Sequence, residues 1–436
     1  MDKTTSSNLN IYDQIADFYQ INSSSKLFEP GITPIPVSGK KIDQEEIIAI
    51  TEAALDGWWT SGRFTSQFER QLADFVGVRS SLFVNSGSSA NLLALSALTS
   101  PKLGKKALQP GDEVITMAMS FPTTVNPIIQ NRLQPVLVDL NLGTYDGKID
   151  EIKNAITPKT RAIMMAHTLG NPFLVEEIEK ICKEKGIWLI EDNCDALGSE
   201  VNGRKTGSFG DLATLSFYPA HHITTGEGGA VLIKSALVKR QVESFRDWGR
   251  DCYCETGKDN TCQKRFDWQL GDLPHGYDHK YTYSHIGYNL KATDLQAAIG
   301  VVQLKKLQSF IEARRSNFSY LLSGLSKIEE LIMPIENKGA KTSWFGFPIT
   351  IKPESKFKRA DLIKFLEDRK IGTRLLFAGN IVKQPAYKGI DFKIESNLKN
   401  SDIVMNNSFW IGVHPSITTP MLDYMIESIQ DFFHKS

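Results

Sequence analysis

The chain has 436 residues, with 50 Lys and Arg balanced by 50 Asp and Glu, and five cysteines. At roughly 100–200 residues per domain this length predicts two or three domains, and 41% hydrophobic with 23% charged residues is an ordinary globular composition. Zero net charge removes the long-range field with which a protein concentrates itself on a polyanion, so neither nucleic acid nor a membrane surface is expected as a partner. A local pocket for one phosphate is still allowed. The stretch Met1-Asp2-Lys3-Thr4-Thr5-Ser6-Ser7 has no apolar signal core, and no apolar run approaches the ~18–20 residues of a spanning helix, so the reading is a soluble, cytoplasmic protein. The cysteines are too few and too bunched for a secreted disulfide framework; in a reducing compartment such a cluster favours metal or redox chemistry.

In chain order, residues 1–35 read as a separate helix and linker. From about Lys41 to Arg240, helical patterns alternate with short apolar runs, the rhythm of strand and crossover helix that builds a mostly parallel sheet. Helices are predicted over Ile42–Trp58, Phe68–Val76, Asn91–Leu98 and Leu174–Lys185. Strands are predicted over Ser81–Asn85, Glu113–Thr116, Pro135–Val138, Ala162–Met165, Trp188–Glu191, Leu212–Ser216 and Ala230–Ile233. A polar, Gly-rich loop over 248–285 interrupts the pattern and carries three of the cysteines. A helix over Ala292–Leu325 then leads to a smaller α+β region with strand Phe345–Ile351 and helices Ala360–Arg369 and Thr419–Phe432. The expected division is 1–35, a large domain over 36–300 and a small C-terminal domain over 301–436.

Three short motifs carry chemistry. Ser86-Gly87-Ser88-Ser89 falls between a strand and a helix, where backbone N–H groups and hydroxyls would face an anion; the same tetrapeptide also serves as a plain turn. Ile190-Glu191-Asp192-Asn193-Cys194-Asp195 puts carboxylates at the carboxyl end of a buried strand, where open α/β sheets bind ligands, although such acids also cap helices. Ser216-Phe217-Tyr218-Pro219-Ala220-His221-His222-Ile223-Thr224-Thr225-Gly226-Glu227-Gly228-Gly229 resembles the signature of the fold type I sugar aminotransferases, the DegT/DnrJ/StrS-type family that uses pyridoxal phosphate to aminate nucleotide-linked keto sugars.

That resemblance spans nearly the whole chain and implies a fold type I α/β architecture, with the large domain binding the cofactor. It assigns Gly87, Ser88, Ser89 and Ser216 to the cofactor phosphate, Asp192 to the pyridine nitrogen, and Phe121, in Ser120-Phe121-Pro122-Thr123-Thr124, to the ring face. Asp195 falls where relatives carry His or Gln over the ring. Asn289 matches a residue that reaches the phosphate from a neighbouring subunit, which implies a homodimer with shared active sites. The family places a lysine at position 221 to hold the cofactor covalently; here it is His221. Histidine moves protons near neutral pH but has no primary amine. The implied working cofactor is therefore pyridoxamine 5'-phosphate (PMP, in place of PLP), held without a covalent bond, and the implied outcome is loss of a hydroxyl, with His221 as the proton carrier.

Cys252-x-Cys254-x₇-Cys262 offers three thiolates in one loop, and either zinc or an iron–sulfur cluster needs a fourth ligand. Cys194, beside Asp192, is the candidate; Cys182 lies on the apolar stripe of its helix and reads as a core thiol. Spacing alone leaves zinc, iron–sulfur and unlinked thiols open. Together with the His-for-Lys exchange, the set Cys194, Cys252, Cys254 and Cys262 resembles a small branch of the family, the PMP-dependent 3-dehydrases with a 2Fe-2S cluster that act on CDP-4-keto-6-deoxyglucose in making 3,6-dideoxyhexoses of lipopolysaccharide O-antigen. That branch implies an NADH-dependent flavin and iron–sulfur reductase as electron donor. Two rivals are an aminotransferase or non-redox dehydratase with structural zinc, and a catalytically silent homologue acting as a binding subunit. His167 reads first as a structural histidine, Trp58-Trp59 and Trp344-Phe345 as core, and Arg374 as a contact to a diphosphate in the cleft.

Overall fold

The computed structural model describes residues 3–22, 27–254 and 256–434. Eight strands form the main sheet, in spatial order Ser80–Val84, Gly229–Ile233, Leu212–Ser216, Trp188–Asp192, Thr160–Ala166, Glu113–Met117, Gln134–Val138 and Lys393–Ile394. All neighbours from Leu212–Ser216 to Lys393–Ile394 are parallel, and Gly229–Ile233 is antiparallel to both of its partners. The expected mostly parallel α/β sheet is therefore present, with strand limits within two residues of those read from the apolar runs.

The period-2 alternation of a strand sorts its residues onto two cores. Leu82, Val84, Val114, Ala162, Met164, Ile190, Leu212 and Val231 pack with helix Gly87–Ala97 on one face. Phe83, Ala213, Leu215, Ala230 and Leu232 face the opposite way, against helix Arg63–Val76 and the start of helix Asp294–Leu325; Ile115, Met117, Ile163, Met165 and Leu189 do so against helix Val175–Lys185. Both faces are covered, which is why these strands read as continuous apolar runs. Cys182 is buried in the last of these clusters, where burial pushes its thiol up to about 12, as expected of a core residue.

Helix Asp294–Leu325 runs 32 residues from a Thr293/Gln296 capping box. Its first half packs in the large core, and Phe318, Leu321 and Leu325 pack in a second core under a four-stranded sheet of Leu331–Ile332, Gly346–Ile351, Ser408–Gly412 and Arg374–Leu375. Residue 300, set as a domain limit from sequence, lies inside this continuous helix. Asp294 also accepts from the N–H groups of Gly62 (2.9 Å), Phe64 (3.2 Å) and Thr65 (2.7 Å), so the second helix begins at Arg63, five residues before the sequence pattern placed it.

The N-terminal segment is helical over Lys3–Asn22; residues 23–26 of the expected linker lie outside the described residues. Helices Pro122–Gln130 and Ala236–Arg246 and strand Ser408–Gly412 have no counterpart in the sequence reading. Among the described residues no helix is long and apolar enough to cross a membrane.

Candidate active site

A cavity of about 880 Å³ opens at the carboxyl ends of the parallel strands, between the two sheets. Of the residues singled out from sequence, Gly87, Ser88, Phe121, Asp192, Cys194, Asp195, Ser216, His221 and Arg374 line it. Strand Ser80–Val84 delivers the chain to Ser86, whose hydroxyl caps helix Gly87–Ala97 by accepting from Ser89 N–H (3.1 Å). The first turn of that helix, with Ser88 and Gly87, meets the end of strand Leu212–Ser216. A Cβ on Gly87 would stand 2.5 Å from Cβ of Ser216, so glycine is required for this approach. Helix N–H groups and two serines converge there, the chemistry of a phosphate cradle. Ser89, expected at the same phosphate, has its N–H and hydroxyl bonded to Ser86 and does not line the cavity.

Asp192, the last residue of its strand, is buried and held by three donors: Asn91 Nδ2 (2.8 Å) and Thr124 Oγ1 (2.7 Å) on Oδ2, and Cys194 N–H (3.3 Å) on Oδ1. A carboxylate fixed in this way offers an oriented acceptor to the N–H of a ring nitrogen. Asn91 is itself oriented by Thr214 Oγ1 (2.6 Å). Neither Asn91 nor the role of Thr124 was read from sequence; the one available signal was a polar residue in the apolar run Ala90-Asn91-Leu92-Leu93.

His221 ends a turn after strand Leu212–Ser216, its N–H bonded to Tyr218 O (2.9 Å) and its ring tilted on Phe345 at 5.1 Å. Its Nδ1 lies 3.5 Å from Asp195 Oδ1. Burial pushes His221 down to about 4, whereas burial, with Asp192 adding, pushes Asp195 up to about 8. Both groups thus favour the uncharged form near neutral pH, and a free-base imidazole is what a proton acceptor requires. Phe121 is half exposed at the mouth, edge-on to Phe377 at 6.2 Å, with a ring face free for a ligand. Among the described residues, no lysine lines the cavity. A cradle, a fixed carboxylate, an aromatic wall and a free-base histidine fit PMP without a covalent link.

Other expected residues lie elsewhere. Asn289 is exposed, paired with Asp247 outside this cavity, and next to it Ile286 is 97% exposed. His167 is fully buried, 3.0 Å from Glu191 and accepting from Phe173 N–H, a satisfied structural histidine. Trp344 and Phe345 are buried as expected, but Trp58 and Trp59 are 47% and 61% exposed, a correction to their reading as core. Trp58 instead packs beside Gly257 of the cysteine loop.

The cysteines divide. Cys254 N–H approaches Cys252 Sγ (3.5 Å), and Thr261 Oγ1 donates to Cys254 Sγ (3.0 Å). Burial raises the Cys252 thiol; it also opposes ionisation of Cys254, but bonds from Thr261 outweigh it and leave that thiol below its ordinary value. Cys194 sits in the cofactor cavity, where burial and Asp192 push its thiol well up. Among the described residues no group of three or more His, Cys, Asp or Glu is arranged to hold a metal ion. The four cysteines expected to meet are therefore not gathered into one group: Cys252, Cys254 and Cys262 share the loop, and Cys194 lines the cavity. Linear spacing reports chain separation, not where the strand end points.

Known proteins bear on this geometry. The chain is 54% identical over 420 residues, 96% of each chain, to the lipopolysaccharide biosynthesis protein RfbH of Salmonella typhimurium. It is 56% identical over 418 residues, 96% of this chain and 90% of the other, to dTDP-4-dehydro-2,6-dideoxy-D-glucose 3-dehydratase of Saccharopolyspora spinosa. The solved structure of E. coli GDP-4-keto-6-deoxy-D-mannose-3-dehydratase with bound hydrated PLP superposes with a TM-score of 0.82 at 31% identity, covering 90% of this chain and 98% of that one. With the sheet, the cavity and these likenesses in agreement, and with residues 40–430 matching its model, the chain belongs to the DegT/DnrJ/EryC1/StrS aminotransferase family.

Proposed function

We propose that this chain is a PMP-dependent 3-dehydratase of a nucleotide-linked 4-keto-6-deoxyhexose. The observation that carries the reading is the placing of His221, its Nδ1 3.5 Å from Asp195 Oδ1, together with Asp192 in a cavity whose described lining contains no lysine. When bound, PMP supplies an amine for the sugar ketone and a conjugated ring that takes up an electron pair. Gly87, Ser88 and Ser216 bind its phosphate, Asp192 orients its ring through the pyridine nitrogen, and Phe121 covers one face. Nδ1 or Nε2 of His221 takes a proton from the cofactor C4′ carbon. Lacking a primary amine, His221 cannot hold the cofactor covalently, so amine transfer is not its cycle. Relatives described as 3-dehydratases support this reading.

The finer reading is a CDP-linked 4-keto-6-deoxyglucose, reductive loss of the 3-hydroxyl with a 2Fe-2S cluster and an NADH-dependent reductase, and a place in dideoxyhexose supply for lipopolysaccharide. It rests on the cysteine set and on likeness to a lipopolysaccharide biosynthesis protein. A homodimer in which Asn289 of one subunit completes the phosphate site of the other belongs to the same reading. The likeness to a dTDP-sugar enzyme favours a second reading in which the nucleotide is dTDP.

The test incubates the PMP-loaded chain with CDP-, dTDP- and GDP-linked 4-keto-6-deoxyhexoses in parallel and follows loss of one water by mass spectrometry. Dehydration with the CDP sugar supports the finer reading, dehydration with the dTDP sugar alone the second, and conversion of none overturns both. Iron and sulfide analysis of anaerobically purified chain tests the cluster; stoichiometric zinc without iron would overturn it.

A further inference from the structure

We propose that Arg314 is a positioning residue for His221, its guanidinium fork fixing the backbone of the proton carrier to the crossing between the two sheets. The inference rests on the dehydratase reading above.

Arg314 lies midway along helix Asp294–Leu325, is 1% exposed, and among the described residues has no carboxylate within ion-pair distance. Its acceptors are main-chain carbonyls from two distant segments. Nη1 donates to Trp344 O (3.2 Å) and Phe345 O (3.1 Å), and Nη2 donates to His221 O (3.3 Å). Burying an unpaired cation is costly. A planar fork is the side chain that can bridge two segments at once with charge-assisted bonds, which a lysine or a neutral residue of similar length cannot do.

The bridged segments form one unit behind the cavity. His222 Nε2 donates to Ser343 O (2.9 Å), Phe345 N–H donates to Leu169 O (2.8 Å), and the Phe345 ring packs on His221 while lining the cavity. The next residue gives an internal control. Arg315 donates to Thr342 O (2.9 Å), Lys341 O (2.9 Å) and Gly198 O (3.3 Å), gripping the same crossing without touching residue 221. Two adjacent arginines thus share the structural task, and Arg314 alone extends it to the proton carrier. Small misplacements of a reacting group cost far more in rate than in binding.

The experiment compares Arg314→Met, Arg314→Lys and Arg315→Met, loaded with PMP deuterated at C4′. It measures cofactor affinity by fluorescence and deuterium release in a single turnover with CDP- or dTDP-4-keto-6-deoxyglucose. The expected result is cofactor affinity within about twofold of the parent in all three. Deuterium release should fall at least about tenfold in Arg314→Met, less in Arg314→Lys, and within about twofold of the parent in Arg315→Met. Equal slowing in the Arg314→Met and Arg315→Met chains would overturn the proposal in favour of a shared structural role. So would parental release in Arg314→Met, or in Arg314→Lys, which carries the test if the Met variant does not fold. No release from the parent chain would overturn the dehydratase reading itself, and the positioning role with it.

Discussion

The cofactor cavity is built from residues far apart in sequence and the cysteine loop from one stretch, and the two are ordered in different ways. In the cavity the two central groups are fixed by protein partners: Asp192 by Asn91, Thr124 and Cys194, and His221 by Tyr218, Phe345 and Arg314. In the loop the thiols themselves have few partners, and the order comes from around them. Asp251 accepts from Lys102, Ser284 Oγ (2.5 Å) and His279 Nε2 (2.8 Å), Arg265 forks onto Asp278, and Trp268 and Tyr253 pack on His279. One region is a site whose catalytic groups are already held in place, and the other is a scaffold that holds three thiols in one loop while Cys194 lines the cavity.

The largest effect that tests this division is at His221. His221→Lys should let PLP bind covalently, seen as a new absorbance band, while dehydration falls by about 10²–10⁴-fold, the usual cost of a lost proton carrier. Parental dehydration in that variant would mean that the cavity is not finished around His221. Gly87→Ala comes next: the added methyl meets Ser216, so PMP affinity should drop by about tenfold or more, with about 1–3 kcal/mol of overpacking. Titration of PMP fluorescence and thermal melts would check both.

How much of this was legible in the sequence follows the same division. The strands were readable because both faces are buried, and the cradle and His221 were readable from motifs in single stretches. The partners that hold Asp192 were not, since Asn91 and Thr124 come from 101 and 68 residues away and carry no local pattern. Arg314 was missed because a helical arginine reads as surface, and only the meeting of two segments shows why one is buried. Trp58 packs beside Gly257 of the cysteine loop, a contact with no signature in its own segment.

On the loop side, Asp251 is the tie whose loss should be felt most. Burial alone would raise its pKa, but Lys102, Ser284 and His279 bring it down to about 2. Asp251→Asn should therefore loosen residues 252–278 at a cost of about 1–3 kcal/mol, read as faster proteolysis of the loop with the cavity unchanged. Cys252→Ser should do less still to the first reaction: dehydration, followed by exchange of solvent oxygen into the sugar, is expected within about twofold of the parent, while reduction and any bound iron are lost. Loss of dehydration along with reduction would show that the two regions are not separable.

The smallest expected effect lies at the base of the loop. His285 has Ser100 Oγ and Ser244 Oγ each 2.7 Å from a ring nitrogen and stacks on Phe245 at 4.6 Å. Ser100 already donates to Gln241 Oε1, so it accepts from Nε2–H, and Ser244 donates to Nδ1; the neutral ring is satisfied as it stands. Burial, aided by Lys102, brings its pKa down to about 4, below the ~6.5 of an unfolded histidine. The folded state thus binds its proton less readily than the unfolded chain. Its contribution to stability is full above pH ~6.5 and is lost as the pH falls through that value toward about 4. Urea unfolding of the parent and of His285→Gln should therefore differ most above pH ~6.5 and converge toward pH 4, with the cavity variants keeping the parental slope. A parent and variant separated by a constant margin across that range would mean that the folded ring takes up its proton as readily as the unfolded one.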